Sequence, residues 1–76
     1  MARLRTDIVV IEFRRVVRAG VRLRIIQAVR VIGSAFPCRR FLMIGNRVGP
    51  AQRCLLANGF RLVVSSRNVL IFVRRR

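Results

Sequence analysis

The chain has 76 residues, of which 17 are arginine and none lysine, and only Asp7 and Glu12 oppose them, for a formal charge of +15. That length bounds the chain to one small domain, 1–76, while an apolar fraction of 54% is too high for ordinary disorder. Histidine, lysine and tyrosine are absent and the two carboxylates have no matched partner, which excludes acid–base catalysis by any recognised residue set, a single-chain zinc site and any cofactor motif.

Charge spacing also excludes a membrane span. The longest uncharged run, 31–38, has eight residues, against the roughly 18 to 20 that a spanning helix needs. A secretory signal fails because Glu12 and Arg14 end the apolar stretch 8–11 before an h-region can form. An intracellular setting is therefore favoured. Mitochondrial import stays open, because 1–32 has the acid-poor, arginine-dotted composition of a transit peptide.

In chain order, 8–32 is nearly half β-branched, which predicts strand over helix. Arg18, Ala19 and Gly20 fit a three-residue hairpin loop closed by a glycine at positive φ. Pairing Val17 with Val21 then sets Phe13 opposite Ile25, Val9 opposite Val29 and Arg15 opposite Leu23. On the other face this register sets Arg14 against Arg24 and Val16 against Arg22, with Glu12 diagonal to Arg24. Like charges set directly opposite repel, so the register makes sense with an anion across that face. The alternative is an amphipathic N-terminal helix carrying Arg14, Arg18 and Arg22 on one side.

Residues 33–40 read as a loop. The run 41–44 is a short strand that Gly45 and Asn46 turn back through Arg47 and Val48. Pro50 in a first turn and the stop Asn58, Gly59 bracket a short helix over 51–57. Strands 60–64 and 69–73 form a second hairpin around a four-residue loop. Phe60, Leu62, Val64, Val69, Ile71 and Val73 share one uncharged face, which reads as a wall of the core. Arg74, Arg75 and Arg76 read as a frayed basic tail. The expected fold is thus α+β and β-rich, with two hairpins and one short helix; the alternative keeps the C-terminal hairpin behind an N-terminal helix.

Cys38 and Cys54 lie 16 apart, and nothing nearby signals an oxidising compartment. That favours two thiols that do not pair, with a single disulfide as the alternative.

Arginine grips phosphate bidentately and stacks on bases, so a lysine-free basic set points to RNA, with ribosomal RNA or another polyanion as the partner. The expected contacts are Arg14, Arg15, Arg22, Arg24, Arg39, Arg40, Arg61, Arg74, Arg75 and Arg76 on phosphates, with Phe41 beside Arg40 as the base-stacking candidate. Phe13 and Phe60 also adjoin arginine but read as core.

The expected function is a small RNA-binding component of a ribonucleoprotein, of ribosomal or mitoribosomal accessory type. Two alternatives compete. A cationic membrane-surface peptide would lay 8–32 in the lipid interface. An unselected or overprinted reading frame would account for a compositional bias: only seven residues have codons with middle adenine, while 33 are Val, Leu, Ile, Met or Phe, with middle uracil.

Overall fold

The computed structural model describes residues 5–75. Strands β1 (Thr6–Arg18) and β2 (Val21–Ile32) come first, followed by a 3₁₀ turn at Arg39–Phe41 and helix α1 (Val48–Ala57). Strands β3 (Arg61–Ser65) and β4 (Val69–Arg75) complete one antiparallel sheet in the order β2-β1-β4-β3. The domain is α+β and mostly strand, as the β-branched composition predicts. The N-terminal third is a hairpin and not the alternative helix.

The first hairpin turns in two residues instead of three. Ala19 and Gly20 both take positive φ, 50° and 79°, the pattern of the tight turn whose twist matches that of paired strands. Arg18 therefore pairs with Val21, Arg15 with Arg24 and Phe13 with Ile26, one residue out of the expected register. The reason lies at Gln27. In the expected register Gln27 would sit opposite Ile11 on the core face; instead the ladder shifts between Glu12 and Phe13, so that Ile26 pairs with Phe13 and Ala28 with Glu12. The bulge leaves Gln27 exposed and brings Ile26, Val29 and Val31 alongside Phe13, Ile11 and Val9.

One face of the sheet is covered. Val9, Ile11, Phe13, Ile26, Leu70 and Phe72 pack there against Val48, Ala51 and Leu55 of α1 and against Ala35, Cys38 and Phe60 from the connections. The uncharged wall expected on the second hairpin is thus corrected. Leu70 and Phe72 are buried, whereas Val69, Ile71 and Val73 point to the opposite face, because β4 pairs Leu70 with Ile11 and Phe72 with Val9.

Helix α1 starts one turn earlier than expected. Pro50 sits in its first turn, where an N–H has no helical partner. Burial of Val48, Ala51 and Leu55 follows one helical stripe. The stop falls where the sequence puts it. The N–H of Phe60 donates to the Leu55 carbonyl at 3.0 Å across Gly59, whose φ is 89°.

The expected hairpin at 41–48 is absent. Phe41 closes the 3₁₀ turn, and the following loop lies along the outer edge of β2: Ile26 N–H donates to the Asn46 carbonyl at 2.8 Å and Gly45 N–H to the Ile26 carbonyl at 2.9 Å. The edge of β2 offers these groups better hydrogen-bonding partners than a strand cut short by Gly49 and Pro50 could.

Cys38 and Cys54 form a disulfide, which corrects the expectation of unpaired thiols. The chain crosses the covered face from the end of β2 and returns as α1, so the two Cα atoms come within 5.7 Å despite the 16-residue separation. The bridge ties the 3₁₀ turn to the helix over the core.

Candidate nucleic-acid interface

Strand β4 backs β1 only from Thr6 to Glu12. From that side the Phe13 N–H donates to the Asn68 carbonyl at 2.9 Å, and beyond it only the Arg15 side chain reaches back, to the Arg67 carbonyl. On the other side, the 45–47 loop leaves β2 at Ile25, which bridges to Arg47. Beyond these points the backbones of 14–18 and 21–24 pair only with each other, as a two-stranded ribbon about 16 Å long at roughly 3.3 Å per residue, flanked on its β2 side by Gly45, Arg47, Gly49 and Pro50. The long axis of the molecule, 54 Å against 22 and 18 Å, reflects this extension.

Five arginines stand on the ribbon. Strand alternation assigns Arg15, Arg22 and Arg24 to the face continuous with the core, and Arg14 and Arg18 to the reverse face. Arg15 and Arg24 are directly opposite, each with its guanidinium carbon 5.3 Å from the centre of the Phe13 ring. That contact spreads both cations over one aromatic ring and partly offsets their repulsion. Arg15 also donates to the Arg67 carbonyl at 2.6 Å, and Arg24 to Gln52 Oε1 at 3.4 Å.

At the foot of the ribbon, Arg22 and Arg24 meet Arg47 and Arg53 around a shallow depression of about 290 Å³ floored by Gly49 and Pro50. The first turn of α1 carries no acidic residue. Both carboxylates lie elsewhere. Asp7 is buried in the body, and Glu12 sits on the reverse face two residues before Arg14.

Other expected contacts are scattered. Arg39 and Arg40 are exposed on the 3₁₀ turn. Phe41 is half-buried against the core, with Arg40 5.0 Å from its ring centre, so the expected base-stacking ring is largely engaged within the protein. Arg61 and Arg75 are exposed at the far side of the sheet, flanking a depression of about 590 Å³ with Val63 and Val73.

Arg74 is not part of a frayed tail. It belongs to β4, and its Nε donates to Asp7 Oδ2 at 2.9 Å. Its remaining nitrogens donate to the carbonyls of Phe36 at 3.0 Å, Asn58 at 3.2 Å and Ser34 at 3.3 Å, while the guanidinium lies 4.4 Å from the Phe60 ring centre. Asp7 also accepts from the Ser34 N–H at 2.9 Å. These contacts come from three separate parts of the chain, at Asp7, at 34–36 and at 58–60, so Arg74 is an internal clamp. Arg75 is likewise in β4, and Arg76 lies outside the described residues.

Sequence reasoning missed Arg18, Arg47 and Arg53 at this site. Arg18 was assigned to the loop; its spacing of four from Arg14 already marks a shared strand face. Arg47 and Arg53 reach the ribbon only through tertiary packing. Phe36 is the most exposed phenylalanine, at 73%, and it carries no basic neighbour in sequence.

Among the described residues no helix is long and apolar enough to cross a membrane. No family model, curated protein or solved structure matches this chain.

Proposed function

We propose that this chain binds RNA through its arginine ribbon, as a small component of a ribonucleoprotein of ribosomal or mitoribosomal accessory type. The observation that carries the reading is the ribbon itself: Arg14, Arg15, Arg18, Arg22 and Arg24 project beyond the core on a segment that contains no carboxylate. A folded arm that concentrates unneutralised positive charge gains most from a polyanion, and arginine's planar fork suits phosphate oxygens better than a point charge does. The depression lined by Arg22, Arg24, Arg47 and Arg53 adds a concave place for a phosphate beside the arm.

Fluorescence anisotropy of the oxidised chain with labelled RNA, DNA and anionic vesicles, across a salt series, tests this. RNA binding should weaken linearly with log salt, by roughly 0.7 to 0.9 log units per phosphate contacted. Tighter binding to DNA or to vesicles than to RNA would sink the proposal. The competing idea of an unselected reading frame makes a separate prediction, that targeted mass spectrometry finds no such peptide in the source cells.

A further inference from the structure

The ribbon's two faces are both cationic, and this bears on the form of its partner. On the core-side face stand Arg15, Arg22 and Arg24, with Arg47 and Arg53 closing the depression beside them. On the reverse face stand Arg14 and Arg18, separated from the first set by the backbone of the two strands. A single strand laid on either face would leave the cations of the other unneutralised. A double helix has a sugar–phosphate strand on each side of a groove. We propose that the ribbon sits in such a groove, with one phosphate strand along the depression of Arg22, Arg24, Arg47 and Arg53 and the other along Arg14 and Arg18.

The dimensions and surface chemistry agree. A two-stranded ribbon fits a groove about 12 Å wide, the width of the B-form major groove. The tip that would reach the groove floor is the uncharged, exposed turn of Ala19 and Gly20, with Val17 and Val21, 68% and 55% exposed, just behind it on opposite faces. Backbone pairing with the body ends at Glu12 for β4 and at Ile25 for the 45–47 loop, so the β1 edge beyond Arg15 carries no further strand, while Gly45 and Arg47 flank the β2 edge beside Val21 and Leu23. The proposal rests on the RNA-binding reading and narrows it. The deep groove of regular A-form RNA is too narrow for side chains to read, so the preferred RNA is a stem whose groove is opened by a bulge or internal loop.

The test measures anisotropy on three RNAs of related sequence: a bulged stem, the same stem without the bulge, and the corresponding single strand. It uses the wild-type chain and two variants, Arg14→Gln/Arg18→Gln on the reverse face and Arg22→Gln/Arg53→Gln on the core side, each first checked for an unchanged urea midpoint. Wild type should bind the bulged stem about ten-fold more tightly than either other RNA. Each variant should lower the salt slope by roughly 2, one unit per lost phosphate contact. A loss confined to one variant, or equal affinity for the single strand, overturns the two-walled seat while leaving RNA binding in place. Failure of the wild type to bind any of the three overturns the RNA-binding reading itself.

Discussion

In the body, the guanidinium of Arg74 is enclosed by a carboxylate, three carbonyls and a phenyl ring. On the ribbon, Arg14, Arg18 and Arg22 are exposed. The same side chain thus does opposite work some residues apart. Where the fold brings a carboxylate and stranded carbonyls together, arginine cross-links segments distant in sequence. Where the strands run past the core, Arg14, Arg18 and Arg22 stay exposed, and the ribbon itself supplies no carboxylate to pair with them. An arginine count therefore overstates the exposed positive charge, and the difference between the two regions can be measured.

The largest effect is expected at the clamp. Arg74→Ala removes one member of a buried ion pair together with its hydrogen bonds to three carbonyls, and breaking a buried pair in this way costs about 3–5 kcal/mol. Urea unfolding should show a loss of that order. A change below about 1 kcal/mol would mean that Arg74 is no more structural than the ribbon arginines.

Next comes the disulfide. Replacing Cys38 and Cys54 together by alanine should lower stability by about 3 kcal/mol, the chain-entropy value for a loop of this length. A reductant should destabilise the wild type similarly and leave the double variant unaffected. Equal sensitivity of both proteins to the reductant would show that the bridge does not form in solution.

A smaller gain is expected at the turn. Ala19 holds a positive φ of 50°, which costs a residue other than glycine about 1 kcal/mol. Ala19→Asn, giving the preferred Asn-Gly pair, should raise stability by roughly 0.5–1 kcal/mol. A loss of stability instead would argue for the three-residue loop and the other register.

The smallest effect on folding is expected from the ribbon cations themselves. Arg14→Gln and Arg18→Gln should each change stability by less than about 0.5 kcal/mol, yet each should reduce the salt slope of RNA binding by roughly 1. If either unfolded the protein as Arg74→Ala is expected to, the division between body and ribbon would collapse.

Several elements were legible because their causes are local. Gly59 after Asn58 stops α1 where a left-handed residue is required, and Pro50 opens it where an N–H is dispensable. Gly20 marks the first turn, and β-branched density marks the strands around it. The site was legible only in part: Arg14, Arg15, Arg22 and Arg24 do gather on one arm, while Arg74 turns inward and Phe41 leans on the core. Nothing near Arg74 in the sequence announces Asp7, 67 positions away. Arg47 and Arg53 joined the ribbon because α1 packs beside β2, an arrangement with no local signature.

By itself, then, the sequence determined a basic, strand-rich domain with a hairpin near residue 20 and a helix ending at Asn58, since propensity, turn chemistry and composition act over a few residues. Tertiary structure decided the register of that hairpin, the covered face, the disulfide and the fate of each arginine. The reason is the period of a strand. A one-residue shift reverses every side chain, and only the packing opposite Ile11 and Phe13, taken by Val29 and Ile26 with Gln27 left out, decides which shift buries apolar surface without burying an amide.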